Sequence, residues 1–165
     1  MAGTPKELRG ADAGALDDID RRLVELLQAD SRQSNTQLAN AVGIAQSTCI
    51  ARVRSLVARG VITRFTADVG LPRLGLALQA LISVNIRSGK RQELAHFAEE
   101  MRALPEVVQI FFLGGSEDFI IHVAVRDNQD LYAFVIDRLT QRREVADVRT
   151  SVVYQHIRNG SVPPA

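Results

Sequence analysis

The sequence predicts an α+β chain in two parts, a helical N-terminal part followed by a part that alternates strands and helices. Three observations support this prediction. Apolar residues recur at helical spacing in three segments before residue 60, a stretch with two glycines and a proline follows near residue 72, and the remainder repeats one strand–helix–strand plan. With 165 residues, 46% of them hydrophobic, the chain can form two small packed cores.

The first predicted helix opens at Leu16–Asp20, after a segment without periodicity, residues 1–15, which we expect to form a flexible arm. Asp17 can cap the free N–H groups of the first turn, and Asp18 and Asp20 lie at the positive end of the helix dipole. One apolar stripe then follows at helical spacing: Ile19, Leu23, Leu26 and Leu27.

Two further helices are predicted over about residues 35–42 and 46–59, with a tight turn between them. Gly43 ends the first of these, because glycine accepts a positive φ without steric cost. The second is predicted to bury Ile50, Val53, Leu56 and Val57.

A strand-like segment, Val61–Thr66, comes next, because its β-branched residues alternate. Three short helices with a glycine turn before the third, and then a strand, are the pattern of a winged helix-turn-helix, which we assign to residues 16–67. Glycines and a proline in Val69–Gly75 mark a boundary, so residues 68–76 are predicted to be a linker.

The second half reads β-α-β-β-α-β over residues 77–158, and residues 159–165 read as a loose tail. This repeated plan predicts a ferredoxin-like βαββαβ sandwich, one antiparallel sheet with both helices on one face. The strands are predicted at Ala77–Arg87, Val107–Leu113, Phe119–Val125 and Val148–Ile157.

The sheet face away from the helices is predicted to be apolar as well. Val107–Leu113 does not alternate, and its Phe111 and Phe112 must point to opposite faces. A second apolar face of this size is not expected to remain in water. We therefore expect a second subunit to cover it, which makes the chain a homodimer or larger.

Charge is segregated along the chain although the net charge is only +1. The segment Ser31–Ala67 carries five arginines and no Asp or Glu, which is the footprint of a surface that meets phosphates. On the third helix, the face opposite the apolar stripe is polar and short-chained, so it can approach the floor of a DNA major groove. An ordinary solvated face is the alternative. The predicted DNA contacts are Ser47, Thr48, Ala51, Arg52, Arg54 and Ser55.

Several classes of protein and site are disfavoured. A single cysteine, Cys49, excludes an internal disulfide and a Cys-rich zinc site. We see no secretory signal and no run of about 20 apolar residues, so we expect a cytoplasmic protein without a membrane partner. The three histidines share no metal-ligand spacing and no nucleophile accompanies them, so no catalytic residue, metal or cofactor is predicted: His96, His122 and His156.

Four segments resemble the Lrp/AsnC ("feast/famine") regulators: Leu16–Arg32 the opening of that family, Leu38–Ile44 and Cys49–Leu56 its helix-turn-helix, and Arg59–Ile62 its exit from the recognition helix. The resemblance continues to about residue 158. It implies a transcription regulator that binds double-stranded DNA, responds to an amino acid and assembles from dimers into tetramers or octamers.

Two positions depart from the family pattern. Ala45 stands where the family usually has a serine that caps the recognition helix, and alanine cannot accept those N–H bonds. Thr48 stands where proline is frequent. Both departures concern where the recognition helix begins and which operator it reads.

The loop Leu113–Phe119 lies between the second and third predicted strands, the two in the middle of the strand series along the chain. Glycine and aspartate are ordinary hairpin residues, so a plain turn is one interpretation. Gly115–Phe119 also resembles the family's Gly-x-x-Asp-aromatic loop, which helps form an amino-acid site at a subunit interface. Backbone N–H groups there can cradle a carboxylate, and Asp118 can pair with an α-ammonium. The predicted ligand residues are Gly114, Gly115, Ser116 and Asp118 in the loop, and by the resemblance Thr150, Ser151 and Val152.

Two other functions remain open from the sequence. The siroheme decarboxylases resemble the same two-part plan, and an enzyme of that kind needs a large pocket with His or Arg facing its substrate. A protein-interaction adaptor whose helix-turn-helix has lost DNA is the other alternative. The acid-free arginine segment favours a DNA-binding regulator that is not an enzyme.

Overall fold

A computed structural model describes residues 16–157, so the predicted arm 1–15 and tail 159–165 lie outside the described residues. The described chain divides into two compact units, one made of residues 16–68 together with Ile157 and the other spanning Val69–His156.

The described part of the N-terminal unit contains three α-helices: α1 (Asp18–Ala29), α2 (Asn35–Val42) and α3 (Gln46–Ala58). Asp17 caps α1 as predicted, because its Oδ1 accepts the Asp20 N–H at 2.8 Å. A capping box between Ser34 and Gln37 starts α2. Gly43 ends α2 with a φ of 71°, the left-handed conformation that glycine adopts without strain.

The core of this unit lies between α1, α2 and α3, and its fully buried side chains are Leu23, Leu38, Cys49 and Leu56. The expected burial of Val57 is wrong, because this residue is 44% exposed. The stripe of α3 that faces the core runs through Cys49 and Leu56, so the helix is rotated relative to the prediction.

The strand predicted over Val61–Thr66 is also wrong, because this segment has no regular secondary structure. A strand requires a neighbour for its backbone groups. Among residues 16–157, none outside the C-terminal sheet pairs as a strand. The β-branched residues give this segment strand propensity, but no other segment in the described range pairs with it.

The C-terminal unit is a four-stranded antiparallel sheet within the described residues, in the order β2-β3-β1-β4. This order and the helices between the strands confirm the predicted ferredoxin-like βαββαβ sandwich. A 3-10 turn, Leu71–Leu74, precedes the sheet. The strands are β1 (Leu78–Ile86), β2 (Val107–Phe112), β3 (Phe119–Val125) and β4 (Val145–Val153).

Strand β4 begins three residues earlier than predicted and ends at Val153 instead of Ile157. The early start reflects pairing that continues across a register shift between Asn85 and Ile86, past which Ile86 still pairs with Val145, and the strand ends at Val153, which pairs with Gln79 near the start of β1. Such a bulge extends the pairing of the partner strand, and its position depends on contacts across the sheet.

Both helices of this unit pack on one face of the sheet. α4 (Leu94–Arg102) follows a 3-10 segment, Ser88–Glu93, and α5 (Asn128–Phe134) continues as a π-helical segment, Val135–Thr140. The core that they close with the sheet includes Ile82, Val84, Phe97, Met101, Phe119, Ile121 and Leu139.

The opposite face carries apolar side chains that this chain leaves exposed. Leu81 is 39% exposed and Phe111 is 43% exposed. Ile120 pairs with both Ser83 and Phe111 and therefore shares their face. We call Leu81, Phe111 and Ile120 the open-face cluster.

Candidate functional site

Five of the six predicted DNA-contacting side chains share one exposed face of α3. They occupy positions i, i+1, i+4, i+7 and i+8, so they form a continuous stripe along the helix. Their side chains are short except for one arginine, which leaves the helix backbone accessible to a groove. This recognition face consists of Ser47, Thr48, Ala51, Arg54 and Ser55.

Arg52, the sixth predicted residue, lies at the border of this face and is turned towards α1. Its Nη1 lies 2.7 Å from Oδ2 of Asp17 and 2.8 Å from Oδ1 of Asp20. Its side chain is 29% exposed. The guanidinium therefore joins the recognition helix to the first turn of α1.

Two acid partners of Arg52, Asp17 and Asp20, link the start of α1 to α3. Asp17 accepts the Asp20 N–H with one oxygen and Arg52 with the other. These two hydrogen bonds hold the pKa of the Asp17 carboxyl below its ordinary value. Asp20 is 7% exposed, and its second oxygen lies 3.3 Å from Nη1 of Arg59 at the end of α3.

Sequence reasoning missed the roles of Asp20 and Arg59 in this contact. The sequence alone presents Asp20 as an acid at the helix dipole and Arg59 as part of the basic segment. A signal does exist, because Arg52 and Arg59 are seven residues apart and therefore lie on one flank of α3.

α3 begins without a side-chain cap, as the alanine at position 45 leads us to expect. Ala45 is the residue before the first helical turn, with φ −67° and ψ 146°, and no side chain caps the free N–H groups there. A serine or aspartate at this position contributes about 1 kcal/mol of helix stability in other proteins. The recognition helix therefore begins without that contribution.

The predicted ligand loop is a hairpin connection closed by the Leu113 N–H, which donates to the Asp118 carbonyl at 2.9 Å. Gly114, Gly115 and Ser116 are exposed. Neither glycine has a positive φ, and a Cβ added to either would meet nothing within 4 Å. The loop thus leaves open space beside its backbone.

Asp118 fastens this loop to the end of β1. Its Oδ2 accepts the Ile86 N–H at 2.8 Å, and its own N–H donates to Oδ1 of Asn85 at 3.1 Å. Glu117 adds a contact to β4, because its Oε1 lies 3.0 Å from Nη2 of Arg149. Sequence reasoning missed Asn85, since no local pattern relates it to a loop 33 residues later.

The three ligand candidates on β4 do not share one face of the sheet. Thr150 pairs with Ile82 and Val152 with Ala80, so their side chains point to the helix-covered face. Ser151 pairs with Leu81 and points to the open face. All three are exposed at this edge strand.

A cavity of about 390 Å³ in the C-terminal unit lies away from these residues. Its lining includes Pro105, Glu106, Ala124 and Phe134, and none of the predicted ligand residues. The predicted ligand residues therefore do not line this cavity.

Membrane-spanning and metal-binding features are absent from the part of the chain that the structure describes. Among residues 16–157, no helix has the length and apolar character needed to span a membrane. In the same range no three His, Cys, Asp or Glu side chains group as a metal site would require.

His122 is buried on the open face, where its Nε2 lies 3.0 Å from Oε1 of Gln79.

Both units match known protein families. Residues 16–63 match the profile of a winged helix-turn-helix DNA-binding domain, and residues 79–163 match the Lrp/AsnC ligand binding domain. The transcriptional regulator AldR of Mycobacterium tuberculosis is 44% identical over 98% of this chain and 88% of its own length. AldR of Mycolicibacterium smegmatis is 45% identical over 96% of this chain and 91% of its own length.

A solved structure is also similar to this chain. A transcriptional regulator from Neisseria meningitidis, crystallised as a complex with L-Met, has a TM-score of 0.80 and 30% identity. The match covers 88% of this chain and 94% of that chain. The similar curated proteins named above are transcriptional regulators, which confirms the prediction that the chain is not an enzyme and disfavours the decarboxylase alternative. The chain belongs to the Lrp/AsnC family of DNA-binding transcriptional regulators, with a helix-turn-helix unit and an Lrp/AsnC ligand binding domain.

Proposed function

We propose that this regulator binds operator DNA through the recognition face of α3 and that a free amino acid bound beside the loop Leu113–Asp118 controls that binding. Residues 16–67 serve as the DNA-binding domain, residues 68–76 as the linker, and residues 77–158 as the dimerisation and effector domain. Because its target is chromosomal DNA, we place the protein in the cytoplasm.

The exposed stripe on α3 is the observation that carries the DNA-binding part of this proposal. Ser47, Thr48 and Ala51 present small groups, and Arg54 supplies a cation that can reach a phosphate or a guanine. In a dimer, two such helices read half-sites about one helical turn apart, or a multiple of it.

The effector part rests on the chemistry of the loop and on a related protein. Gly114, Gly115 and Ser116 are exposed, and successive backbone N–H groups in a turn of this kind can bind a carboxylate. Asp118 uses Oδ2 for the Ile86 N–H, and its charge is placed to attract an α-ammonium. The Neisseria regulator is a complex with L-Met, which supports an amino acid as the class of ligand.

The assembly part rests on the open-face cluster. Leu81 and Phe111 stand exposed on a sheet face that carries no helix, and grouped apolar side chains of this kind mark association surfaces. A second copy of the chain is the proposed cover, and dimers then associate into tetramers or octamers. Such an assembly brings Thr150, Ser151 and Val152 of one subunit within reach of a neighbour's loop.

Fluorescence anisotropy with a labelled duplex from the region upstream of the protein's own gene tests the DNA part. We expect tighter binding to this duplex than to a random one, with a steep loss of affinity as salt increases. Equal binding to both duplexes, repeated on upstream regions of other genes, would favour the adaptor alternative.

A further inference from the structure

Ion pairs between α1 and α3 link Asp20 to the helix that carries the recognition face. Asp20 is 7% exposed, and its two oxygens contact Arg52 at 2.8 Å and Arg59 at 3.3 Å. These arginines lie at the middle and the end of α3, on the flank beside the recognition face. Asp20 therefore holds α3 at two points separated by about two helical turns.

Because the Asp20 carboxylate is buried, the contact between α1 and α3 requires a defined geometry. Removing such a charge from water is costly unless partners surround it, so the two guanidiniums must be close to Asp20. Asp17 adds a third contact, since its Oδ2 also binds Nη1 of Arg52 at 2.7 Å. The position of α3 against α1 then depends on where these side chains meet.

The start of α3 is held by apolar packing, since Cys49 in its first turn is fully buried. Ala45 supplies no side-chain cap, and Ser47 and Thr48 are exposed. The apolar contacts of α3 with the core are made by the fully buried Cys49 and Leu56 and by the partly buried Val53. Apolar packing is not directional, whereas paired charges with short distances specify an angle.

We propose that Asp20 is a positioning residue for operator recognition, and that Arg52 acts through Asp20 and Asp17 to set the angle of α3 without itself touching DNA. This inference rests on the proposed recognition face. It assigns the two neighbouring arginines of α3 different tasks: Arg54 meets the nucleic acid, and Arg52 orients the helix that carries it.

The proposal predicts an effect opposite to simple electrostatics. Removing an acid near a DNA-binding surface is expected to raise affinity for any duplex, because one repulsive charge is gone. If Asp20 positions α3, its removal instead lowers affinity for the operator while affinity for random duplex is unchanged or higher. The ratio of the two affinities separates a positioning role from a loss of folding, which would lower both.

The test compares Asp20→Asn, Arg52→Gln and Arg54→Gln in the full-length protein by anisotropy on operator and random duplexes over a salt series. We expect Asp20→Asn and Arg52→Gln each to lower the operator-to-random ratio about tenfold, the order expected when interacting residues are uncoupled. Their salt slopes for the operator stay those of the unmodified protein. Arg54→Gln lowers the slope by about 0.9 per binding site, because that change removes one cation that neutralises a phosphate.

Three results would overturn the proposal. One is an operator-to-random ratio for Asp20→Asn equal to that of the unmodified protein, and another is a salt slope for Arg52→Gln that falls as it does for Arg54→Gln. If Asp20→Asn does not fold by circular dichroism, Asp17→Asn replaces it, because asparagine keeps the helix cap and removes only the charge. Asp17→Asn must then lower the operator-to-random ratio without changing the salt slope. An unchanged ratio for this variant is the third result that would overturn the proposal. Failure of the proposed function looks different, since the unmodified protein would not prefer its operator.

Discussion

Oδ2 of Asp118 accepts the backbone N–H of Ile86 at 2.8 Å, so the end of the glycine loop is tied to the last residue of β1. Ile86 is also where β1 and β4 resume pairing after their register shift. The ligand loop, the end of β1 and the start of β4 therefore meet at one end of the sheet. A ligand that moves the loop acts directly on this junction.

Replacing Asp118 separates its structural role from its proposed role in ligand binding. Asparagine keeps an oxygen that can accept the Ile86 N–H but removes the charge, so Asp118→Asn should weaken amino-acid binding at least tenfold with the fold retained. Alanine also leaves the Ile86 N–H without its partner, which costs about 1–3 kcal/mol. Calorimetric titration with amino acids and urea unfolding measure the two effects. Full amino-acid affinity in Asp118→Asn would exclude this carboxylate as the ammonium partner.

Ala45→Ser should stabilise the start of the recognition helix. The backbone at Ala45 already has the extended conformation of a helix-capping residue, so a serine hydroxyl can accept an N–H of the first turn. We expect a gain of about 1 kcal/mol, visible as slower amide exchange in the first turn of α3. Ala58→Ser, at an exposed position at the other end of α3, is the control and should give no such gain. Equal exchange in both variants would show that the first turn has another source of stability.

Phe111→Glu should dissociate the proposed assembly, because it places a charge in the open-face cluster. Light scattering after gel filtration should report a dimer or larger for the unmodified protein and a monomer for the variant. Tyr132→Glu is a matched control, since Tyr132 on α5 is 69% exposed and lies on the helix layer. An unchanged mass for Phe111→Glu would place the interface elsewhere.

The stability that the Asp17 charge contributes should disappear in acid. The Asp20 N–H and the Arg52 guanidinium hold the pKa of Asp17 below its ordinary value of 3.8. A group with a lowered pKa in the folded state stabilises that state above the unfolded value, and loses this effect as pH falls through the folded value. The difference in unfolding free energy between the unmodified protein and Asp17→Asn should therefore be constant near neutral pH and shrink below pH 3.8. Urea unfolding over this range checks the trend, and a difference that grows in acid contradicts it.

Local signals account for most of the elements that the sequence predicts. Asp17 begins α1 and Gly43 ends α2 because capping and positive φ are properties of single residues and their immediate neighbours. The repeated βαβ plan predicts the order of the sheet because hydrophobic periodicity is also local. Within the sheet, the largest error is in the end points of β4, since its start depends on a register shift beside Asn85 and its end on pairing with Gln79.

The features that could not be predicted from the sequence all depend on contacts between residues far apart in the chain. Val61–Thr66 has strand propensity, yet a strand forms only where a second segment offers hydrogen bonds. The sequence places Arg52 on an open polar face because its acid partners are 32 and 35 residues away. The link from Asn85 to Asp118 likewise needs the pairing of β1 with β3. Each becomes visible only when the packing of the elements is known.

The most direct test of effector control adds amino acids, one at a time, to the complex of the unmodified protein with its operator duplex and follows fluorescence anisotropy. We predict that at least one amino acid shifts the dissociation constant for the operator, and that Asp118→Asn abolishes the shift while binding DNA normally. An operator affinity that no amino acid changes, in a protein that still prefers its operator, would contradict the proposed effector class.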